Sequence, residues 1–470
     1  MTFSPVDYIV VIVYILIILY TGFILSRRKS SKSSNLEEFL LAGRKLTLPL
    51  FVSTLVATWY GNILGVGEFV YTSGLVAWVC FGLPYYFAAG VFAWFIAKKI
   101  RNFNVKTIPE QITIKYGPTA GWLSSLIVLI ISIPAVYILI LGVLVQLFTG
   151  WDLWLCIIVA TIISMTYLIK GGLKADVFTN TVQFVLMFTG FIVLVIFSMY
   201  KFGMPSTLAE RLPAQHLQLT GGFSWQIILA WFLIAFTTFI DPSFHQRCSA
   251  ALTPKTAQKG VLISILFWML FDSLTLISGL YARAHFSIAN PVMAFTVLGE
   301  NVLPHFWKGL FVVSMIATAT AALDSYSFIS AATIGNDIFK PFLKAISKDN
   351  IFSTKSLIQS GLFVTAIVGI TLAILLPSAV QLVYRTASIA VPGLFVPLII
   401  SYSKRFYFSN KNIILLMVIS VLISCLWLIG RYAFLPIIPK NIFMDIEPMI
   451  PGFIFSLIFA LFAVRKKIII

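Results

Sequence analysis

Residues 48–73 read LPLFVSTLVATWYGNILGVGEFVYTS, and this stretch decides the fold of the chain. It is long enough to cross the hydrocarbon core of a membrane, which needs about 20 mostly apolar residues. Gly61, Gly65 and Gly67 all fall near its middle and weaken a helix there. Irregular backbone at that depth is tolerated only where it lines a cavity. The stretch therefore predicts a broken transmembrane helix beside an internal cavity.

The whole chain shares this apolar character. Of its 470 residues, 60% are hydrophobic and only 10% are charged, so most of its length must face lipid or other helices. We predict an all-α integral membrane protein with about 13 transmembrane helices. The predicted spans are 8–26, 48–73, 76–98, 119–148, 153–170, 179–201, 226–246, 259–283, 306–338, 357–376, 380–402, 412–430 and 447–464.

The positive charges give the orientation. The net charge of +17 lies on short loops and not on a polar domain, which excludes a nucleic-acid partner. Loops after odd-numbered spans hold 26 Lys and Arg residues and the other loops hold six, which leaves Arg385 inside a span. Since basic loops stay in the cytoplasm, we expect a multi-pass protein of the cytoplasmic (inner) membrane. Its N-terminus lies outside and its C-terminus is cytoplasmic.

The spacing of the spans excludes several classes of protein. No loop exceeds about thirty residues, which leaves no room for a nucleotide-binding or catalytic domain. The chain contains no G-x-x-x-x-G-K-[ST] loop and no metal-ligand spacing, so we expect neither an enzyme nor a resident cofactor. The energy for transport would come from an ion gradient or from the solute itself. Oligomeric state cannot be read from the sequence.

Interrupted helices recur in the second half of the chain. Predicted helix 7 carries Asp241-Pro242, and predicted helix 11 carries Pro392 and Pro397 around Gly393. Broken helices in both halves indicate a transporter with inverted repeats. We therefore divide the chain into a first helix with a basic loop (1–47), a transporter core (48–402) and two C-terminal helices (403–470). The inverted repeats within the core are 48–201 and 226–402.

Five charged residues fall inside the predicted spans: Glu68, Asp241, Asp272, Asp324 and Arg385. Each is destabilising by several kcal/mol unless it is paired, hydrated or protonated. A structural ion pair within the bundle explains any one of them, but one arginine cannot neutralise four acids. Some of the acids must therefore meet water, an ion or a proton.

Polar and aromatic residues near the helix 2 break indicate a solute cavity, although aromatic residues in membrane helices also serve as packing or interface anchors. Separately, a carboxylate flanked by small and hydroxyl residues at Asp324 and Ser325 predicts a site for a hard cation or a proton. We expect the small-molecule solute to be contacted by Trp59, Asn62, Glu68, Asp241, Trp268 and Arg385.

Several short motifs follow one another along the chain. They are Leu40-Leu41-Ala42-Gly43-Arg44, Tyr71 with Gly74-Leu75, Thr107-Ile108-Pro109-Glu110, Gly171-Gly172-Leu173-Lys174-Ala175-Asp176, Gln246-Arg247, and Asp324-Ser325 running to Asp337-Ile338-Phe339-Lys340. In their order and spacing they resemble the sodium:solute symporter family, which includes sugar, proline, pantothenate and sialic acid carriers. The resemblance covers roughly residues 35–405. It implies a leucine-transporter-like fold, with helices 2–6 and 7–11 as two inverted five-helix repeats and with broken helices 2 and 7.

The resemblance also implies where a coupling sodium ion would lie. In the family it lies between backbone carbonyls of broken helix 2 and two adjacent hydroxyl residues of helix 9. The carbonyl positions fall here on Leu55 and Thr58, and the hydroxyl positions fall on Ala321 and Ala322, which have no side-chain oxygen. Asn180 stands where members usually carry an aspartate.

The positions that bind sugar in the sugar carriers fall on Asn62 and Trp268, so these contacts are not retained. We therefore expect a secondary active transporter of a small organic solute, working by alternating access. Sodium coupling through Asp324 and Ser325, proton coupling and uncoupled transport stay open. A non-transporting receptor of the same fold and a channel are further alternatives.

Overall fold

The computed structural model describes residues 2–23, 36–348, 351–376, 379–433 and 446–466. Most of the basic residues predicted for the first cytoplasmic loop, and Lys440 and Lys467 near the C-terminus, lie outside these residues. The helices are α1 (Pro5–Phe23), α2 (Leu36–Leu41), α3 (Leu48–Trp59), α4 (Ile63–Ser73), α5 (Leu83–Phe92), α6 (Lys98–Phe103), α7 (Ile108–Tyr116), α8 (Pro118–Ser132), α9 (Ala135–Thr149), α10 (Leu153–Thr166), α11 (Leu168–Phe202), α12 (Trp225–Ile234), α13 (Thr237–Ile240), α14 (Pro242–Ala250), α15 (Pro254–His285), α16 (Ala294–Val302), α17 (Trp307–Ala332), α18 (Lys340–Ala345), α19 (Thr354–Leu375), α20 (Ala379–Ser401), α21 (Asn410–Ala433) and α22 (Met449–Ala463).

Shorter elements complete the chain. Wider π-helical turns at Trp78–Gly82 and Ala93–Ala97 flank α5, and a third, Thr333–Phe339, joins α17 to α18. Two-residue strands β1 (Phe406–Tyr407) and β2 (Arg465–Lys466) pair antiparallel.

Within the described residues, nine helical segments are long and apolar enough to cross a membrane, and ten are if the bent pair α3 and α4 forms one span. Three shorter apolar helices, Leu153–Thr166, Arg385–Ser401 and Met449–Ala463, fall below the length of a full span. The all-α membrane architecture is therefore confirmed, and the count of 13 stays a prediction.

The predicted break in helix 2 is confirmed. Helices α3 and α4 are bent by 59° relative to each other around Tyr60, Gly61 and Asn62. Only glycine fits at the centre of this break, because a Cβ atom on Gly61 would overlap the Ala322 methyl group and the Tyr137 ring. The small side chain of Ala322 thus has a packing role, since it lets the break approach α17.

The predicted helix 7 is also interrupted. Helix α13 ends at Ile240, and Asp241 takes an extended conformation (φ −65°, ψ 115°) before α14 begins at Pro242. The Asp241 carboxylate caps α14 by accepting a hydrogen bond from the Ser243 amide at 2.7 Å. The break expected in helix 11 is absent, because α20 runs continuously through Pro392 and Pro397. Proline is tolerated in a membrane helix where neighbouring groups satisfy the freed backbone atoms.

Helix α17 forms the centre of the bundle. The 18 residues of its most apolar stretch are all buried, and the alanines there allow close packing against neighbouring helices. The 35-residue helix α11 packs against it and bends at Gly172, whose φ of +57° is a conformation that glycine adopts readily. These two helices, together with the breaks in α3–α4 and α13–α14, position the polar groups described next.

The N-terminal helix is fixed to the bundle by one carboxylate. Asp7 is fully buried, and its Oδ1 accepts hydrogen bonds from the amides of Phe306 and Gly309 at 2.9 and 3.0 Å. Its Oδ2 accepts a hydrogen bond from the Ser4 hydroxyl at 2.8 Å and lies 2.9 Å from Nδ1 of His305. Helix α1 is thereby joined to the beginning of α17.

Candidate solute cavity and ion site

A cavity of about 340 Å³ lies where the two helix breaks meet. Asn62, at the start of α4, and Asp241, between α13 and α14, both line it. Its volume is at the small end of the range of pockets that bind small molecules, about 300–1,000 Å³. Six aromatic side chains contribute to its wall: Trp59, Tyr60, Phe81, Tyr85, Tyr137 and Tyr326.

Two carboxylates reach the cavity, and tyrosines hold both of them. Asp272 of α15 accepts hydrogen bonds from the hydroxyl groups of Tyr60, at 3.0 Å, and Tyr86. Asp241 accepts a hydrogen bond from the Tyr326 hydroxyl at 2.6 Å. Among the described residues that line the cavity there is no lysine, arginine or histidine.

The residues predicted to contact the solute divide into two groups. Trp59, Asn62 and Asp241 line the cavity. Trp268, Glu68 and Arg385 are not among its lining residues. The Trp268 ring lies behind Trp59, with the ring centroids 5.2 Å apart, and its carbonyl accepts a hydrogen bond from Tyr60.

Glu68 is half-buried on α4, one and a half turns after Asn62. Arg385 is on α20, where the following two residues, Thr386 and Ala387, contribute to the wall instead. Arg385 thus directly precedes two cavity-lining residues in the chain but does not line the cavity itself.

A second polar centre, which we call the Arg247 cluster, consists of Thr54, Thr58, Asp176, Asn180, Arg247 and Ser325. The Arg247 and Asp176 side chains are fully buried and form an ion pair, with Nη2 2.9 Å from Oδ2. The same Nη2 donates to the hydroxyl oxygens of Ser325 at 2.6 Å, Thr58 at 3.1 Å and Thr54 at 3.3 Å. One guanidinium group therefore meets four side-chain oxygens from helices α3, α11 and α17.

Asn180 and Ser325 connect the members of the cluster. The Asn180 amide nitrogen lies 3.1 Å from Asp176 Oδ1, 2.9 Å from the Thr54 hydroxyl and 3.1 Å from the Ser325 hydroxyl. Ser325 in turn donates to Asp176 Oδ1 at 2.7 Å. The cluster contains one positive and one negative charge, so it is electrically balanced without a bound ion.

The predicted ion residues only partly come together. Thr58, Asn180 and Ser325 meet in the Arg247 cluster. Leu55, Ala321 and Ala322 are buried in the same two helices, α3 and α17, and contribute no side-chain oxygen.

Asp324 lies in a separate place from its neighbour Ser325. Its carboxylate is fully buried and accepts hydrogen bonds from the hydroxyl groups of Ser164 and Tyr167, on and just after α10. The two adjacent residues therefore serve different polar centres, and they do not form the single site that the sequence indicated.

Sequence reasoning quoted Arg247 and Asp176 as parts of family motifs but did not predict them as site residues. Arg247 and Asp176 fell outside the predicted spans 226–246 and 179–201 and were assigned to cytoplasmic loops. In the structure α14 extends to Ala250 and α11 begins at Leu168, so both residues are inside helices. One signal was available: Asp176 and Asn180 are four residues apart, which places them on one helical face.

The comparisons with known proteins agree with this architecture. The sequence pattern of the sodium:solute symporter family matches residues 39–409. The sodium/pantothenate symporter of Escherichia coli (strain K12) is 23% identical over 350 residues, which is 71% of this chain and 72% of that protein. Sodium/glucose cotransporter 1 of Oryctolagus cuniculus is 23% identical over 440 residues, which is 79% of this chain and 63% of that protein.

A solved structure has the same fold. A Na⁺-coupled sialic acid symporter, in a substrate-bound outward-open state, superposes with a TM-score of 0.78 at 14% identity. The match covers 99% of this chain and 100% of that one. At this identity the likeness shows a shared leucine-transporter-like fold and does not extend to the solute or the ion.

Proposed function

This chain belongs to the sodium:solute symporter family. From that premise we propose that it carries a small organic solute by alternating access and that it does so without sodium, because the two hydroxyl residues of the usual sodium site are Ala321 and Ala322 here. Membership makes the chain a multi-pass membrane transporter of solutes and not an enzyme. The solute, the mechanism and the ion requirement are the proposal.

The observation that supports the proposal most strongly is that one cavity is lined by residues from both helix breaks. Asn62 and Asp241 come from different halves of the predicted transporter core, yet they line the same space. Solute sites of inverted-repeat carriers lie at such discontinuous helices near the middle of the membrane. A solute held there contacts both halves, and a movement of one half against the other would expose it to each side of the membrane in turn.

The Arg247 cluster supports the second part of the proposal. Thr58 belongs to the segment whose carbonyls bind sodium in the family, and Ser325 lies one helical turn after Ala321 and Ala322. Nη2 of Arg247 binds both hydroxyl groups. A guanidinium group stays protonated in proteins. The cluster thus holds a permanent cation, linked to the protein, in the neighbourhood that a sodium ion would occupy.

Electrostatics opposes a sodium ion beside this arginine. Two positive unit charges 4 Å apart repel each other by about 4 kcal/mol at an effective dielectric constant of about 20, and the attraction of the Asp176 carboxylate offsets part of this repulsion. The Ala321 and Ala322 side chains offer no oxygen to compensate for this repulsion. We therefore expect transport to continue when sodium is replaced by potassium.

Uptake by purified protein in proteoliposomes tests both parts. A library of small organic solutes is screened with equal concentrations of NaCl or KCl outside, and the rate of each hit is measured against its concentration. We expect saturable uptake that is equal in the two salts. Accumulation driven by a sodium gradient would refute the sodium-free part. Binding without uptake, or a flux that fails to saturate, would refute the carrier in favour of a receptor or a channel.

Proton coupling is a second candidate, and Asp324 is the observation that favours it. This fully buried carboxylate is bound by the hydroxyl groups of Ser164 and Tyr167, and no described basic residue pairs with it. Coupling through Asp324 predicts that an inward proton gradient drives accumulation and that Asp324→Asn abolishes this drive. Ser164→Ala is the matched control, because it removes one hydroxyl and keeps the carboxylate. Equal accumulation by wild type and Asp324→Asn would exclude this route.

A further inference from the structure

We infer that the cavity binds a small organic cation, whose charge is balanced by the carboxylates of Asp241 and Asp272. The inference deepens the proposed function and rests on it, since it specifies the class of solute that the carrier takes. A protonated amine and a quaternary ammonium group share the chemistry that the cavity recognises, which is a positively charged nitrogen on an apolar body.

The charge of the cavity wall is the first argument. Asp241 and Asp272 both line the cavity, and the described lining residues include no base. Arg247 lies on α14, after Asp241 in the chain, and is buried, but it already forms an ion pair with Asp176. A buried carboxylate without a positive partner is destabilising by several kcal/mol. A cationic solute supplies that partner, whereas an anionic solute would add a third negative charge.

The aromatic wall is the second argument. The face of an aromatic ring attracts a cation within about 6 Å of its centroid, by about 0.5–2 kcal/mol depending on desolvation. Trp59 and Tyr85 form an edge-to-face pair on the wall, with ring centroids 5.1 Å apart. Tyr137 and Tyr326 form a tilted pair, with ring centroids 5.2 Å apart. These rings suit an alkylated or aromatic ammonium ion better than a sugar, which needs many hydrogen-bonding groups.

The tyrosine hydroxyl groups orient the carboxylates toward this role. Tyr60 and Tyr86 each donate to one oxygen of Asp272, and Tyr326 donates to Asp241. These donors fix the position of each carboxylate at the cavity wall, where its oxygen atoms can bind a cationic group.

Binding to the full-length protein in lipid nanodiscs tests the inference without any transport step. Four probes with one ring and different head groups are titrated by calorimetry: benzylammonium, benzyltrimethylammonium, benzyl alcohol and benzoate. We expect at least one of the two cations to bind at least tenfold more tightly than the alcohol, and benzoate not to bind. Preference for the first cation identifies an amine site that uses N–H donors, and preference for the second identifies a site that uses the rings.

Two carboxamide variants assign the effect to the cavity. Asp241→Asn and Asp272→Asn should each reduce the preference for the cation over benzyl alcohol at least fivefold while leaving the affinity for the alcohol within twofold. Asp337→Asn is the matched control, because Asp337 is also a buried aspartate bound by a hydroxyl group, that of Thr107, but does not line the cavity. Its preference should equal that of the wild type.

The results that would refute binding of an organic cation differ from those that would refute transport. Equal binding of cation and alcohol, tight binding of benzoate, or an unchanged preference in both carboxamide variants each refutes the organic cation. Cation binding with no uptake in proteoliposomes refutes the carrier and leaves the inference standing. Uptake restricted to neutral or anionic solutes refutes the inference and leaves the carrier standing.

Discussion

Substitution of Arg247 by glutamine gives the sharpest test of the sodium-free mechanism. The change removes the positive charge that balances the buried Asp176, with which Nη2 makes its 2.9 Å ion pair. Loss of one partner of a buried ion pair is destabilising by about 3–5 kcal/mol. We therefore expect Arg247→Gln to melt at a clearly lower temperature than the wild type in thermal unfolding followed by fluorescence.

The same change should create a sodium site. It leaves the Asp176 carboxylate with the hydroxyl groups of Thr54, Thr58 and Ser325, and oxygen atoms of this kind bind hard cations. Sodium at 100 times its dissociation constant would stabilise the variant by about 2.7 kcal/mol. NaCl, compared with an equal concentration of KCl, should therefore raise the melting temperature of Arg247→Gln and leave that of the wild type unchanged.

Two further variants control this experiment. Arg44→Gln also removes a buried arginine that has an ion pair, with Glu37, but it lies outside the cluster and should gain no response to sodium. In the double variant Asp176→Asn/Arg247→Gln both charges are gone, so its destabilisation should be smaller than the sum of the two single effects. A wild type that sodium stabilises more than potassium, or an Arg247→Gln protein as stable as the wild type, would refute the reasoning.

Three other predictions follow from the fold and the cavity. Gly61→Ala should abolish uptake, because its methyl group would overlap α17 at the helix break, whereas Gly90→Ala, which meets open space, should transport normally in the same assay. Asp7→Asn should lower the melting temperature, because it weakens the hydrogen bonds that join α1 to α17 and reduces the free energy of unfolding by about 1–3 kcal/mol. Asp152→Asn, at an exposed position, is the control. Equal melting temperatures of the two variants would contradict this role of Asp7. An inside-negative membrane potential of about 60 mV should raise the accumulation of a transported monovalent organic cation about tenfold in proteoliposomes, since a potential of 100 mV contributes about 2.3 kcal/mol per charge. An unchanged accumulation would contradict a charged solute.

Hydrophobic patterning predicted the membrane-spanning architecture and the position of the helix 2 break. Runs of apolar residues report which segments face lipid, and three closely spaced glycines in one such run located the bend at Gly61. The same reasoning was wrong about a break in helix 11. Proline and glycine alone do not determine whether neighbouring groups stabilise a continuous helix, and α20 continues through both of its prolines.

The candidate site was harder to predict because much of it lies in polar ends of helices. Asp176 and Arg247 occupy helical turns that are buried by other helices and not by lipid, so hydropathy placed them in loops. Sequence spacing also cannot show that Asp324 and Ser325, although adjacent, turn toward different partners. Asn62 and Asp241, each of which stands next to a helix-breaking residue in a predicted span, both line the cavity. Their contact with a solute stays a prediction.

The Arg247 cluster also constrains how this protein could change over evolutionary time. A mutation of Ala321 to serine would add an oxygen while the guanidinium group still repelled the ion, and loss of Arg247 alone would leave Asp176 uncompensated. Each single change is therefore neutral or destabilising, and a carrier that is both stable and sodium-binding would need a combination of changes. A lineage that lost the two hydroxyl residues at Ala321 and Ala322 would thus keep its sodium-free site, because the buried ion pair beside it stabilises the interior.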